Sequence, residues 1–381
     1  MDISFKFDPE VLIGSDTISL AGTIASRHGS RIMIAADNGL GSSSVNRLKE
    51  ILVDSGLEAI VFDGIDNNSQ ADLADSVAEL TCAAHCDAII GFGGEKTQTI
   101  ARMAAIMAPI KITAFELLDG KSIQNKFLPL LSIPTESMSA FSSTSYFIAV
   151  DPRSRLVKTI QSPCNLYSAV IIDSNLFKFL SNTDAAAYVL ESFFYAIETY
   201  CSAKANFISD TLLEKAISFY AKLIRSAAGN SAAPMSANAE LFAQASILSS
   251  LGSSVSSPGF GSALSTAINA RTPAARQLCS AVLFPFVAER LVNARPEKMA
   301  RIASFFTNTK AASIAEAAMS AVDNIRRAMA ALNVPSSLKE YNIPLDRLTA
   351  AAEAARNLDF VTNSPWPVSE EEVFKILKEI I

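Results

Sequence analysis

Between Arg31 and Ile172 short β-branched runs recur about one helix length apart, and this alternation limits the fold more than any other property of the chain. RIMIAA, EAIVFD and DAIIGF read as strands, and the segments after Leu40 and after Gln70 read as helices. Strands separated by helix-length segments pair in parallel, with helices covering both faces of the sheet. A second group, LPLLSIP, SYFIAV, RLVKTI and SAVIID, is expected to extend the sheet and close an α/β domain near Asp173. From about Thr183 the pattern becomes almost wholly helical, with breaks expected at Pro234, Pro258, Pro273, Pro285 and Pro335. The expected domains are therefore an α/β unit over residues 1–180 and an all-helical unit over residues 181–381. The stretch SSLGSSVSSPGFGSALS reads as a tight helix-to-helix passage lining the cleft between them, because apolar residues interrupt it too regularly for a disordered linker.

With 381 residues, half of them apolar, the chain is long enough for two cores. Its mean hydropathy of +0.27 is high for a soluble protein. No stretch approaches the roughly 18 uninterrupted apolar residues of a membrane span, so the excess is assigned to buried helix. The start, MDISFKFDPE, carries acids where a secretory leader has a basic end and an apolar core, and cytoplasmic residence is expected. Five scattered cysteines, Cys82, Cys86, Cys164, Cys201 and Cys279, suit reduced thiols. A net charge of -6 without a basic run excludes a nucleic-acid or anionic-lipid footprint and leaves a small-molecule partner.

The segment GFGGEKTQTIAR follows the strand DAIIGF and opens a helix. Glycines in such a turn let backbone N–H groups and a helix N-terminus approach a phosphate closely. Asp37, at the end of MIAAD, sits where an acid accepts hydrogen bonds from an adenosine ribose, or where it caps the next helix; both readings stand at this point.

With these features the chain resembles the iron-containing alcohol dehydrogenase superfamily, which includes glycerol dehydrogenases and dehydroquinate synthases. Five segments follow the family order: AADNGL at Ala35 to Leu40, IDNNS at Ile65 to Ser69, GGEKTQTIAR at Gly93 to Arg102, IPTESMSAFS at Ile133 to Ser142, and NSPWPVS at Asn363 to Ser369. The resemblance covers nearly the whole chain. It implies a Rossmann-like nucleotide-binding domain, a helical metal and substrate domain, and catalysis between them. It also implies NAD or NADP held by Asp37, Asn67, Gly93, Gly94, Lys96, Thr97, Thr135 and Ser139, and a homo-oligomer, dimeric or larger.

The pattern fails at the metal. Family members hold iron or zinc with an Asp and three His; the equivalent positions here are Glu191, Tyr195, Ser262 and Arg276, and only His28 and His85 exist in the chain. An iron or zinc site of the family type is therefore not expected. Either Glu191 and Arg276 form an ion pair in its place, since a buried acid without a partner is costly, or Arg276 is a surface arginine; both readings stand at this point. Glu191 and Glu198 share a helix face, which is expected to be solvated or ion-paired in preference to holding a hard cation; the CAAHC cluster of Cys82, His85 and Cys86 reads as cysteines packed as small apolar residues in preference to a zinc site. The cofactor segments differ too. Glu95 stands at the third glycine, adding bulk and charge beside a pyrophosphate; Thr99 replaces an aspartate and Arg102 a lysine. Met138, Ala140 and Phe141 stand at Gly, Gly and Ser positions.

Three functions are open. One is a nicotinamide-dependent oxidoreductase on a small alcohol or aldehyde, in which Tyr195 donates the proton and Arg276 stabilises the alkoxide, although a buried tyrosine filling the space of a lost histidine and metal is the more ordinary account of Tyr195. Another is an inactive relative that serves as a binding or assembly subunit. The least favoured is a synthase of the dehydroquinate type, which also relies on metal.

Overall fold

The structure is a computed structural model and describes residues 9–66, 69–123, 126–136, 142–162, 166–177, 182–228, 235–307 and 311–380. Its described residues fall into two compact units, with the change of unit between Phe177 and Asn182. Ser142 and Ser143 belong with the second.

The first unit holds eight described strands: β1 (Glu10–Gly14), β2 (Arg31–Asp37), β3 (Glu58–Ile65), β4 (Ala88–Gly93), β5 (Leu130–Pro134), β6 (Tyr146–Asp151), β7 (Leu156–Gln161) and β8 (Tyr167–Asp173). Its helices are α1 (Ala21–Ala25), α2 (Gly41–Asp54), α3 (Gln70–Ala83), α4 (Glu95–Ile110), α5 (Ala114–Leu118) and α6 (Ser174–Phe177). Six strands form one sheet in the order β1-β8-β5-β4-β2-β3, and all its neighbours are parallel. Every residue of AIIGFG in β4 is buried, which is why this strand reads as an unbroken apolar run rather than an alternating one. On one face Ile32, Ile34, Ile90, Phe92, Leu131 and Ile133 pack with Val45, Leu48 and Leu52 of α2.

Two expectations change. SYFIAV and RLVKTI do not extend the main sheet: β6 and β7 pair antiparallel as a separate two-stranded sheet. The four residues between them permit only a hairpin, so each strand's hydrogen-bonding edge goes to the other. The strand at the sheet's far edge is instead EVLIG, whose half-exposed residues gave no clear period. It is anchored by the Asp173 carboxylate, which accepts from the N–H groups of Asp16 at 3.0 Å and Ile18 at 3.2 Å.

The second unit is helical as expected: α7 (Asn182–Cys201), α8 (Phe207–Ala228), α9 (Ala239–Ser254), α10 (Phe260–Arg271), α11 (Arg276–Ala294), α12 (Pro296–Ala303), α13 (Ile314–Ala331), α14 (Leu345–Arg356) and α15 (Glu370–Ile380). Aromatic rings tie α7 to its neighbours. Phe194 stacks on Phe284 of α11 with centroids 4.0 Å apart, and Phe193 meets Tyr220 of α8 edge-on at 6.4 Å. Pro258, Pro273 and Pro335 lie between helices, whereas Pro285 sits inside α11. An interior proline costs about 3 kcal/mol; burial of Val282, Leu283, Phe284, Val287 and Leu291 around it outweighs that. Pro234 lies outside the described residues. Most of the serine-glycine stretch is helix, the ends of α9 and α10, and only Val255 to Gly259 form the passage. Among the described residues no helix is long and apolar enough to cross a membrane.

Candidate functional site

In the α/β unit the strand order sets β5, β4 and β2 side by side, with Gly93 opposite Pro134 and Ala36 opposite Phe92. The carboxyl ends of these strands therefore present Glu136, Gly93 and Asp37 along one edge. The chain reverses direction across the sheet between β2 and β4, the place where open α/β sheets bind ligands. Gly93 has φ +154, and a Cβ on it would lie 2.7 Å from Thr97 Oγ1 and 2.8 Å from Asp37 Cβ. Only glycine allows these two side chains to close on the turn. The Thr135 N–H donates to the Gly93 carbonyl at 3.3 Å and ties β5 to the same turn.

Most of the expected nucleotide residues are thus brought together: Asp37, Gly93, Gly94, Lys96, Thr97 and Thr135. The Asp37 carboxylate accepts from the Gly39 N–H at 2.7 Å, so it caps the turn Asn38–Leu40, one of its two expected roles. The Lys96 ammonium donates to the Asp66 carbonyl at 2.5 Å; burial lowers its pKa, against the opposing charges of Asp66 and Asp37. The Thr97 hydroxyl is fully buried and makes no hydrogen bond. Arg102, 4% exposed, lays its guanidinium over the Tyr167 ring at 4.5 Å, contact that follows from its position one turn beyond Gln98 on the buried face of α4. Asn67, Ser139, Met138, Ala140 and Phe141 lie outside the described residues.

One residue at this edge had no part in the sequence reading. A Cβ on Gly94 would meet the Glu136 carboxylate, with Oε1 at 2.3 Å and Oε2 at 2.5 Å. Glu136 Oε2 also lies 3.4 Å from the N–H of Glu95, the first residue of α4. A carboxylate of the protein itself thus rests on the glycine turn, where the N–H groups and dipole of a 16-residue helix favour an anion. The only signal in the sequence was an acid directly after IPT, beside a motif already carrying an extra acid at Glu95.

In the helical unit Glu191 and Tyr195 stand one turn apart on α7, and Arg276 opens α11. Arg276 grips Glu191 at two points, Nε to Oε1 at 2.6 Å and Nη2 to Oε2 at 3.1 Å. The side chains are 16% and 2% exposed, so the expected ion pair is buried and Arg276 is no surface residue. The same guanidinium carbon is 5.8 Å from the centre of the Tyr195 ring, which is 4% exposed. Cys279 lies alongside, its thiol pushed up to about 12 chiefly by burial, with Glu191 adding to the effect.

Glu198, two turns along the same face, is neither solvated nor ion-paired. Its carboxylate accepts from the N–H groups of Gly261 and Ser262, each at 2.8 Å, and from the Ser262 hydroxyl. It serves as a fully buried cap for α10, with its pKa raised by burial against these hydrogen bonds. A Cβ on Gly259 or Gly261 would come within 3.0 Å of Glu198 Oε1. The glycines of SPGFGS are there to admit the carboxylate.

These positions do not suit a divalent ion. Glu191 is already neutralised by a guanidinium, whose charge would repel a second cation at the same oxygens, and the Ser262 hydroxyl donates to Glu198. Among the described residues no cluster of three or more His, Cys, Asp or Glu is placed to hold a metal. In CAAHC, Cys86 is buried with its thiol pushed up to about 11 by desolvation. Cys82 is exposed, its Sγ 3.2 Å from the Ala108 carbonyl.

Comparison with known proteins agrees with this architecture. Residues 8–174 match the model of iron-containing alcohol dehydrogenases, and residues 185–381 match that of the family's C-terminal domain. A 1,3-propanediol dehydrogenase of Citrobacter freundii is 25% identical over 92% of this chain and 91% of its own length. A sulfoacetaldehyde reductase of Bilophila wadsworthia is 24% identical over 94% and 93%. Among solved structures, a 1,3-propanediol oxidoreductase superposes with a TM-score of 0.92 at 22% identity, covering all of both chains. A sulfoacetaldehyde reductase of Bifidobacterium kashiwanohense in complex with NAD+ gives 0.86 at 17%, covering 100% and 99%. With both of its halves matched, parallel sheet and helical unit alike, the chain belongs to the iron-containing alcohol dehydrogenase family.

Proposed function

We propose that the protein is an NAD(P)-dependent oxidoreductase of a small alcohol or aldehyde that works without the iron or zinc of its family. The observation that carries this reading is the two-point grip of Arg276 on Glu191 beside Tyr195. The cofactor, when bound, supplies or accepts the hydride. Toward reduction, Tyr195 Oη delivers a proton to the carbonyl oxygen. Arg276 supplies fixed positive charge for the oxygen as it becomes an alkoxide, the part a Lewis acid plays elsewhere. Glu191 holds the guanidinium in place, and the buried surroundings strengthen its field. Cytoplasmic residence and homo-oligomeric assembly go with this reading, the second checked by light scattering.

The test is turnover of NADH with a series of short aldehydes by chelator-treated protein of known metal content. Turnover unaffected by added iron or zinc is expected, and Tyr195→Phe should lower kcat by a factor of about 10² or more with little change in KM. Activity appearing only on addition of ferrous iron or zinc would sink the proposal.

One observation favours a second reading, a non-catalytic relative acting as a binding or assembly subunit. The Glu136 carboxylate lies on the turn that a pyrophosphate would use. Absence of turnover with every alcohol and aldehyde, together with co-purification with an intact relative, would decide for it.

A further inference from the structure

We propose that Glu136 is an internal stand-in for a phosphate: its carboxylate holds the anion seat at the head of α4, and a phosphate-bearing ligand must displace it. The inference rests on the reading that this turn seats a nucleotide, and it adds a device that sets how tightly. Two observations fall on Gly94 and Glu95, and a third on the neighbouring Gly93 of the same turn. Both carboxylate oxygens lie within 2.5 Å of where a Cβ on Gly94 would be, so the glycine leaves room for them rather than for a side chain. The carboxylate faces the Glu95 N–H, the first donor of a helix long enough to carry a full dipole. The Thr97 hydroxyl, 0% exposed and closed against Gly93, makes no hydrogen bond. A buried hydroxyl in that condition is costly unless something outside the protein accepts from it.

A phosphate entering this seat meets the same donors as Glu136 and the repulsion of its carboxylate. At about 4 Å and an effective dielectric of about 20, a single like-charge contact outweighs a tenfold change in affinity. The carboxylate therefore lowers affinity for the phosphate portion of a ligand and leaves the nucleoside portion untouched.

Calorimetric titration of the whole protein with ADP-ribose and, separately, with adenosine tests this. Glu136→Thr should bind ADP-ribose about tenfold or more tightly than the wild type, with Glu136→Gln between them, and adenosine should bind all three equally. Equal ADP-ribose affinity in the three proteins overturns the proposal, and so does a lack of binding by both variants at millimolar ligand. Glu136→Gln keeps the shape of the side chain and serves if Glu136→Thr does not fold. Tighter ADP-ribose binding without any turnover would uphold the seat while refuting the oxidoreductase reading.

Discussion

The glycine turn of the α/β unit and the Glu191 region of the helical unit each satisfy a local charge preference with a side chain of the protein, and they do so with opposite sign. Where the turn suits an anion, the chain lays down a carboxylate of its own, Glu136. Where the helical unit buries an acid, Glu191, the chain supplies a guanidinium, Arg276. The two differ in depth. Glu136 is half-buried and meets the Glu95 N–H at a long 3.4 Å. Arg276 forms two short bonds to an acid that is 2% exposed. The first is partly open to solvent, whereas the second is enclosed by the fold.

The largest test of that contrast is Arg276→Ala. It leaves Glu191 charged and buried without its partner, and a loss of about 3–5 kcal/mol is expected in denaturant unfolding. Replacing both residues by leucine should restore most of that stability, because the desolvation of two charges disappears with them. If Arg276→Ala unfolds at the wild-type midpoint, the pair is not structural and the contrast fails.

A smaller effect is expected at Glu198. Truncation to alanine uncaps the first N–H groups of α10, at a cost of about 1–3 kcal/mol. Its contribution to stability also depends on pH, with a definite sign. Because burial raises the folded-state pKa, the folded protein holds this proton more tightly than the unfolded chain. Stability from this group is therefore greatest below the unfolded value of about 4.5 and declines as pH rises toward the folded value. Glu198→Gln should remove that slope, read as the unfolding midpoint between acid and neutral pH.

The smallest effect belongs to Thr97→Val. Removing a hydroxyl that has no partner should leave the free protein unchanged or up to about 1 kcal/mol more stable. The same change should weaken ADP-ribose binding several-fold in the Glu136→Thr background. A loss of stability without any effect on binding would show that the hydroxyl serves the fold and not a ligand.

Much of this was legible in the residues. The parallel strands and the helical second half follow from periodicity, and the pairing of Glu191 with Arg276 was one of two readings the cost of a buried lone acid left open, the one the structure shows. SYFIAV and RLVKTI misled because a strand's period says nothing about which sheet it joins. EVLIG was passed over because, at the edge of the sheet, it has neither a continuous nor an alternating apolar pattern. Glu136 and Glu198 were missed or misjudged for one shared reason. Each acts by meeting backbone N–H groups distant in sequence, and the glycines that admit it lie about 40 and 60 residues away, so no local pattern marks the match.

The sheet also carries an order of assembly. Among the described residues β1 has β8 as its one strand partner, and the bonds that fasten its end join residues 155 and 157 positions apart. During synthesis the first strand emerges long before the segment that will receive it, and it waits as an unpaired edge through most of the first unit's length. Slowing translation beyond Asp173 should therefore protect the nascent chain, while a stall before it leaves EVLIG available to chaperones or to another copy of the same chain.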